Sequence, residues 1–275
     1  MSSLLYFTAI YSLTVLICVT TIFLLSRLRD DNTIMDLGYG LVFIIATWFT
    51  IFLTLSYHPI SYLTAIMVTL WGTRLSSRLI IKHIGKPEDP RYGAWRELWL
   101  KKGRLYFILR SYLQINLFQG ILIVIISLPV ILIISNPETV LLPWLVAGTL
   151  VWMTGLAIET IADKQLDNFL KRKREGLGSE VLMKEGLFRY SRRPNYFGES
   201  LVWFGLAIVA VSTPLGWLGL MGAFTITFIV TRITGPMLEN IFLKQYPEEY
   251  QAYMRTTSYF IPLPPKVDNK NVLDR

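Results

Sequence analysis

Residues 4–25 read LLYFTAIYSLTVLICVTTIFLL and contain no charged side chain. A helix of about 20 apolar residues spans the hydrocarbon core of a bilayer, because a helix satisfies its own backbone hydrogen bonds in lipid. The run has no basic stretch before it and is too long for the apolar core of a signal peptide, so we interpret it as a retained span. Further apolar segments follow at residues 34–56, 60–81, 106–134, 141–162, 197–212 and 216–233.

The overall composition supports a chain that lies largely within lipid. Of its 275 residues, 53% are hydrophobic and 17% are charged, whereas soluble domains carry roughly 25% charged residues. No series of segments alternates between polar and apolar residues in the manner of a membrane β-barrel. We therefore predict an all-α integral membrane protein with about seven transmembrane helices. We expect one transmembrane domain over residues 1–266 and a disordered tail over residues 267–275.

Lysine and arginine are distributed unevenly among the loops between these segments. Residues 1–3, 57–60, 135–140 and 213–215 contain neither, whereas the intervening loops and the tail are basic. Because loops rich in Lys and Arg stay on the cytoplasmic side, we predict an N-terminus outside and a cytoplasmic C-terminus. The last two apolar segments are short and meet at residues 212–214, so a six-span arrangement with a broken helical hairpin stays open.

The formal net charge of +8 resides in these basic loops and suits anionic lipid head groups. We therefore expect contact with membrane lipids and no nucleic-acid partner. The single cysteine, Cys18, excludes a disulfide framework within the chain and a cysteine-rich metal site. The two histidines, His58 and His83, are too few for a histidine-rich metal centre. We accordingly predict no metal site.

Two acidic residues lie four positions apart at the end of the fifth apolar segment. Glu159 and Asp163 therefore share one face of a helix. Acidic side chains at membrane depth are costly and usually face an interior cavity or a partner, which makes both residues candidates for a binding site. The alternative is a span that ends near Ile161 and leaves both carboxylates in the interface.

The stretch GLFRYSRRPNYFGE at residues 186–199 combines three arginines with the start of the sixth span. Pro194 suits the first turn of a helix, where its missing amide hydrogen costs nothing. Arg189, Arg192 and Arg193 would then lie beside free backbone amides at the positive end of the helix dipole. That combination predicts an anion site, with phosphate as the natural ligand.

Two polar residues follow inside this predicted helix. Asn195 carries both a donor and an acceptor and can bind a sugar or an amide edge. Glu199 lies about one turn further into the span, where a carboxylate needs a partner that a ligand or one of the arginines could provide. The alternative interpretation of the whole stretch is a stop-transfer basic cluster with an intramembrane Glu–Arg pair.

Together with the acidic pair, the stretch at residues 186–199 resembles the steroid 5α-reductase C-terminal superfamily, and most closely its bacterial DUF1295 branch. Further similar stretches are WGTRL at 71–75, GKPEDPRY at 85–92 and the tail at 238–265. The resemblance covers roughly residues 35–266. An Arg-x-Pro-x-Tyr pattern also occurs in membrane methyltransferases of the isoprenylcysteine type, so the resemblance favours the superfamily more strongly than the reaction.

The resemblance implies a seven-helix reductase with NADPH in a cavity open to the cytoplasm. Glu159, Asp163, Asn195 and Glu199 would contact the dinucleotide, although steroid reductases have Asn at the position of Glu159. Basic residues of the loop would hold its phosphates. The full set of cofactor-binding candidates is Glu159, Asp163, Arg189, Arg192, Arg193, Asn195, Tyr196, Glu199 and Glu239.

The sequence departs from the superfamily at the catalytic tyrosine. Steroid reductases polarise the substrate carbonyl with a Tyr of the third span, and Trp71 occupies that position here. Asp36 and Tyr39, one turn apart on the second span, are the catalytic candidates. Tyr62 is a further candidate to take the role of the missing tyrosine. The alternative makes Tyr39 an interfacial aromatic and Asp36 a helix-start residue.

Other aromatic and basic residues outside the spans allow two interpretations. Arg91 and Tyr92 either close over the cofactor or anchor their loop at the interface. The same choice applies to four tyrosines of the C-terminal segment, which are Tyr246, Tyr250, Tyr253 and Tyr259.

Three functions are compatible with these features. The first is an NADPH-dependent reductase of a C=C bond in a steroid- or lipid-like substrate, located in a bacterial inner membrane. The second is an S-adenosylmethionine-dependent methyltransferase of a membrane-embedded lipid. S-adenosylmethionine is cationic at its sulfonium and NADPH carries phosphates, so the arginine cluster at residues 189–193 favours NADPH. The third is a transporter or lipid-binding scaffold, which would distribute polar residues through several spans. The sequence identifies neither the substrate nor the oligomeric state.

Overall fold

A computed structural model describes residues 2–177 and 180–267, and within these ranges the chain is helical without a β-strand. The predicted all-α class is confirmed. Ser191 and Ser258 form an isolated parallel bridge between two extended stretches of backbone. The tail predicted to be disordered falls, from residue 268 onward, outside the described residues. The α-helices are α1 Ser2–Leu28, α2 Ile34–Thr54, α3 Pro59–His83, α4 Pro90–Leu100, α5 Arg104–Arg110, α6 Phe118–Ile126, α7 Leu128–Ser135, α8 Leu142–Arg174, α9 Pro194–Ala210, α10 Gly219–Phe228, α11 Gly235–Gln245 and α12 Pro247–Thr256.

Within the described ranges, five helical stretches are long and apolar enough to cross a membrane. They are Ser3–Leu28, Ile34–Thr54, Arg104–Ile126, Leu142–Arg174 and Gly216–Gln245. Two of them contain π-helical turns, which join α5 to α6 and α10 to α11. The remaining predicted spans correspond to α3, which has 25 residues, and α9, which has 17. The number of seven transmembrane helices and the predicted sides of the two termini stay predictions.

Two helices differ from the apolar segments that predicted them. The fifth segment ends at residue 162, but α8 continues to Arg174 because residues 163–174 contain no Gly or Pro and many good helix formers. The helix stops just before Gly176, which has a positive φ of 70°. The fourth segment is interrupted at Ser127, because Pro129 cannot continue the helical hydrogen bonding of α6.

The chain divides into two compact units, and each is described by itself. Unit 1 comprises Met1–Leu145 and Val209–Gly222, and unit 2 comprises Val146–Ile208 and Ala223–Arg275. The single domain predicted over residues 1–266 stays a prediction.

In unit 1, α2 and α3 approach closely through glycines. A Cβ atom on Gly72 would lie 2.7 Å from the carbonyl oxygen of Gly40, so neither helix tolerates a larger residue there. Beside this contact the rings of Phe43 and Trp71 pack edge to face, with centroids 5.2 Å apart. These contacts keep the second and third helices in register.

One end of unit 1 is held by ion pairs and hydrogen bonds between the α1–α2 loop and the GKPEDPRY segment. Glu88 accepts hydrogen bonds from the backbone and side chain of Asn32, both at 2.8 Å, and pairs with Arg96 at 2.8 Å. His83 bonds Asp31 at 2.8 Å. Asp89 caps α4 by accepting from the Arg91 amide. The segment thereby fixes the start of α4 beside α2.

In unit 2, α8 and α9 also meet at small residues. A Cβ atom on Gly198 would lie 2.7 Å from both the Gly155 oxygen and the Glu159 nitrogen. The two helix backbones therefore touch where Glu159 projects from α8. The close approach of the two backbones requires a glycine at position 198, the Gly of the NYFGE stretch.

The C-terminal segment after α12 pairs with the chain just before α9. The Arg192 amide donates to the Ser258 oxygen at 2.8 Å, and the Leu263 amide donates to the Tyr190 oxygen at 3.0 Å. The Ser191 hydroxyl adds a bond of 2.7 Å to the Phe260 oxygen. These bonds fix the backbone that carries the arginine-rich stretch.

Candidate functional site

The predicted site residues are distributed over the two units. Asp36 and Tyr39, the catalytic candidates, belong to unit 1. The nine cofactor-binding candidates all belong to unit 2 and lie on α8, α9, α11 and the segment before α9.

The acidic pair lies on the buried face of α8. Glu159 is 3% exposed and Asp163 is 7% exposed, one turn further along. Because Gly198 packs directly against the backbone of Glu159, the two acidic residues lie on the part of α8 that faces the start of α9. The helix continues beyond Ile161 to Arg174, and the alternative of a membrane span that ends near Ile161 stays open.

The sixth predicted span begins at Pro194, as the sequence predicts. Asn195, Tyr196 and Glu199 occupy its first two turns and are each half-buried. The three residues therefore lie on the same end of α9 as the contact with α8. This end brings together amide and carboxylate groups of the kind that bind the hydroxyl and amide edges of a nucleotide.

The three arginines before α9 occupy different environments. Arg189 is exposed, whereas Arg192 is buried and its side chain is held on several sides. The Arg192 guanidinium donates to Glu239 at 2.8 Å and to the carbonyl oxygens of Met254 and Thr257 at 3.3 and 2.7 Å. In the described structure most of its donors are therefore bonded within the protein.

Glu239 completes this buried ion pair. Its Oε1 atom accepts from Arg192 and also from the Tyr250 hydroxyl, at 3.2 Å. Sequence reasoning placed an Arg–Glu pair here only as an alternative, with Glu199 as the nearby carboxylate. The structure pairs Arg192 with Glu239, an acid 47 residues away.

Arg193 differs from both other arginines. Its Nε and Nη2 atoms are buried and have no hydrogen-bond partner among the described residues. The guanidinium lies 5.5 Å from the Phe242 ring centroid and 6.0 Å from that of Tyr196. Buried donors are normally satisfied, so Arg193 is the arginine best placed to bind an anion such as a phosphate.

Two tyrosines of α12 form the wall beside these groups. Burial raises the pKa of Tyr250 above its ordinary value, although the charge of Arg193 partly opposes the effect. Burial also raises the pKa of Tyr253, whose hydroxyl donates to the Phe188 oxygen. Both phenols therefore stay protonated and act as hydrogen-bond donors near neutral pH.

In unit 1, Asp36 accepts hydrogen bonds from three side chains of other elements. Tyr92 donates to its Oδ1 atom at 2.7 Å, Gln119 donates to the same atom at 3.2 Å, and Arg91 reaches Oδ2 at 3.2 Å. Tyr39 packs its ring edge to face against Phe43. The catalytic assignment of Asp36 and Tyr39 stays a prediction.

Tyr92 is among the residues that the sequence indicates, whereas Gln119 is not. Tyr92 is 5% exposed, so the interpretation as an interfacial anchor does not describe it. Burial and the neighbouring charge of Asp36 raise the pKa of Tyr92, so its hydroxyl remains a donor. The GKPEDPRY stretch could have identified Tyr92, but no sequence signal indicates that Gln119 reaches the same carboxylate.

The site chemistry fits an anionic organic cofactor. Among the described residues, no group of three His, Cys, Asp or Glu side chains is arranged to hold a metal ion. The buried, unbonded donors of Arg193 instead call for an acceptor. The phosphates of NADPH would supply such an acceptor, so the residues present fit this cofactor.

Comparisons with known proteins identify the family of the chain. A family model described as "Protein of unknown function (DUF1295)" matches residues 22–257. An uncharacterized protein of Schizosaccharomyces pombe is 27% identical over 224 residues, which are 72% of this chain and 62% of that protein.

Two steroid enzymes are also similar over a shorter part of the chain. Steroid 5-alpha-reductase DET2 of Gossypium hirsutum is 31% identical over 115 residues, which are 42% of each chain. The 3-oxo-5-alpha-steroid 4-dehydrogenase 1 of Bos taurus is 29% identical over 120 residues, which are 44% of this chain and 42% of that enzyme. The matched part thus spans under half the length of these steroid enzymes. No solved structure matches the chain.

Proposed function

This chain belongs to the DUF1295 family of steroid 5α-reductase-like proteins, and on that premise we propose that it is a membrane-embedded reductase. The proposed reaction is the NADPH-dependent reduction of a C=C bond in a steroid- or lipid-like substrate. Relatives that are named steroid 5-alpha-reductases support this class of reaction.

The observation that carries the proposal is the contact between α8 and α9. Gly155 and Gly198 let the two backbones touch at Glu159. The residues that the resemblance assigns to the dinucleotide therefore lie on two helices that meet at this point. Glu159 and Asp163 come from α8, and Asn195 and Glu199 come from the first turns of α9.

We propose separate tasks for the residues of unit 2. Asn195, Tyr196 and Glu199 hold hydroxyl and amide groups of the cofactor, together with the acidic pair of α8. Arg193 and the exposed Arg189 bind phosphate. Arg192 and Glu239 position the loop, since they already bond each other. The cofactor, when bound, supplies a hydride.

Reduction of a polarised double bond also requires a proton for the second carbon. We propose Asp36 and Tyr39 as candidates for this task, as the sequence predicts. Tyr92 is an additional candidate, because its hydroxyl donates to Asp36 at 2.7 Å. With Asp36 protonated, Asp36 would donate to the Tyr92 oxygen, and the Tyr92 hydroxyl would then be available to donate to a carbonyl oxygen.

We also propose the finer membrane arrangement. With α3 and α9 counted as spans in addition to the five apolar stretches, the chain crosses the bilayer seven times. The basic loops then lie in the cytoplasm, and the membrane is a bacterial inner membrane. The cofactor side would be the cytoplasmic side, where NADPH is available.

Ligand binding to purified, detergent-solubilised protein tests the proposal. NADPH, NADH and S-adenosylmethionine are compared by thermal shift. We expect NADPH at 100 times its Kd to stabilise the fold by about 2.7 kcal/mol, and we expect Asn195→Ala and Glu199→Gln to reduce that shift. Glu138→Gln, an exposed change outside the proposed site, is the matched control.

The two enzyme hypotheses give different results in this experiment. No stabilisation by either dinucleotide would remove the reductase hypothesis. Stabilisation by S-adenosylmethionine alone would establish the methyltransferase in its place. An equal NADPH shift in Asn195→Ala, Glu199→Gln and the control would show that the cofactor binds elsewhere.

A further inference from the structure

In unit 1, four polar side chains form a polar stripe along α5 and the π-helical turn that follows it. Lys102, Tyr106, Arg110 and Gln114 occur at intervals of four residues, a spacing that places side chains above one another on a helix. Lys102 precedes the helix, but its ammonium group lies 5.2 Å from the centroid of the Tyr106 ring. Lys102, Arg110 and Gln114 are exposed, and Tyr106 is half-buried.

Arg110 is the unusual member of the polar stripe, because it lies inside a stretch that is apolar enough to cross a membrane. That stretch begins at Arg104, and six residues of helix place Arg110 about 9 Å further along it. The guanidinium donates to the Tyr106 hydroxyl at 3.0 Å and to the Gln114 side chain at 3.3 Å, and both partners are neutral. No carboxylate of the described residues pairs with it. An exposed cation at this depth requires an anionic partner.

The polar stripe has hydrogen-bond donors for such a partner. The Tyr106 oxygen accepts from the Arg110 Nε atom, so the hydroxyl hydrogen of Tyr106 can be donated elsewhere. Within the described structure, the bonds of Arg110 use Nε and Nη1, which leaves the Nη2 amino group for an acceptor. The charged ends of Lys102 and Arg110 lie 5.2 and 5.5 Å from the centroid of the same tyrosine ring. One phosphate group can therefore contact both cations and the hydroxyl.

An apolar stripe runs beside the polar one. Leu105, Leu109 and Leu113 are also four residues apart, and each directly precedes a member of the polar stripe in sequence. All three side chains are more than half exposed. The two stripes therefore run side by side along the same helical surface. A phospholipid has the matching chemistry, because it joins an anionic phosphate to apolar acyl chains that lie along a membrane helix.

We propose that the two stripes form a binding site for one anionic phospholipid. Its phosphate lies on Lys102, Tyr106 and Arg110, and an acyl chain follows the three leucines. The site prefers phosphatidylglycerol to phosphatidylcholine, because the choline group brings a positive charge that both cations repel. The bound lipid holds the start of this helical stretch at the level of the head groups. The inference is independent of the proposed reductase activity and requires only that α5 lies in the membrane.

Native mass spectrometry of the delipidated full-length protein measures the binding of each lipid. Phosphatidylglycerol and phosphatidylcholine with the same acyl chains are compared. In the double variant Lys102→Gln, Arg110→Gln we expect phosphatidylglycerol binding to weaken about 10- to 30-fold, because two basic side chains are lost, and phosphatidylcholine binding to change much less. The control is the double variant Lys171→Gln, Arg174→Gln, which removes the same charge from exposed positions of α8.

Two milder changes separate the head group from the acyl chain. Tyr106→Phe keeps the ring and removes the hydroxyl donor, so it is expected to weaken phosphatidylglycerol binding about threefold. The double variant Leu105→Ala, Leu109→Ala is expected to weaken both lipids equally, since both carry the same chains. Phosphatidylglycerol with a photoreactive diazirine in its acyl chain then maps the contact. We expect its crosslinks on wild-type protein within residues 102–114.

Three results would overturn the inference. They are equal binding of the two lipids by wild-type protein, equal losses in the two charge-removing double variants, and crosslinks confined to other parts of the chain. Equal losses would mean that net charge attracts the lipid without a defined site. Thermal unfolding without added lipid shows whether each variant is folded. If the variant lacking Lys102 and Arg110 does not fold, Tyr106→Phe decides, and unchanged phosphatidylglycerol binding in it contradicts the site.

Discussion

At the scale of single residues, Arg192 and Glu239 form a buried ion pair in unit 2. Their side chains are 7% and 14% exposed, and the charged groups are 2.8 Å apart. Removing one member of a buried pair leaves the other charge without compensation. We expect Arg192→Gln to lower the free energy of unfolding by about 3–5 kcal/mol. Denaturant titration of the detergent-solubilised protein measures this change.

A second arginine pair provides the control for this substitution. Arg172 pairs with Glu185 at 3.1 Å, but both side chains are more than half exposed. Exposed pairs contribute about 0–1 kcal/mol, so Arg172→Gln is expected to change little. In the double variant Arg192→Met, Glu239→Leu, much of the stability is expected to return. Similar losses for Arg192→Gln and Arg172→Gln would contradict the assignment of Arg192 as a positioning residue.

At the scale of helices, Gly198 determines how closely α8 and α9 approach. A Cβ atom there would lie 2.7 Å from the backbone nitrogen of Glu159, and backbone cannot move aside as a side chain can. We expect Gly198→Ala to cost about 1–3 kcal/mol of stability, as overpacking does, and to weaken NADPH binding because it displaces Glu159. Unfolding and thermal-shift measurements on the same preparation test both effects.

A glycine in an open position gives the matched comparison. In α4, a Cβ atom on Gly93 would meet no atom within 4 Å. Replacing a helical Gly by Ala then stabilises by about 0.5–1 kcal/mol. Gly93→Ala is therefore expected to be neutral or stabilising and to leave NADPH binding unchanged. If Gly198→Ala behaved in the same way, the helix contact would not be constrained as described.

The features predictable from sequence at this scale are local ones. Pro194 marked the start of α9, and the four-residue spacing of Glu159 and Asp163 placed both on one face of α8, because helix periodicity and proline geometry act within a few residues. The partners of Arg192 and Asp36 were missed. They lie 47 and 56 residues away, at Glu239 and Tyr92. Local patterns cannot specify such pairs, because tertiary packing brings them together.

At the scale of the whole molecule, the distribution of positive charge predicts how the chain lies in the membrane. Basic residues such as Lys102 and Arg172 fall in loops predicted to be cytoplasmic, whereas Glu138 and Pro214 fall in loops without Lys or Arg. All four are exposed in the structure. The helices alone leave the direction of insertion open, since an α-helix satisfies its backbone in either orientation.

Cysteine labelling tests this arrangement directly, because the chain has the single native cysteine Cys18. In a Cys18→Ser background, Glu138→Cys and Pro214→Cys are expected to react with a membrane-impermeant maleimide in intact cells. Lys102→Cys and Arg172→Cys should react only after the membrane is permeabilised. A protected Pro214→Cys with a reactive Glu138→Cys would favour six spans with a broken hairpin, because the loop at residues 212–214 would not reach the outside. Reaction of Lys102→Cys in intact cells would reverse the orientation and remove NADPH from reach of the site.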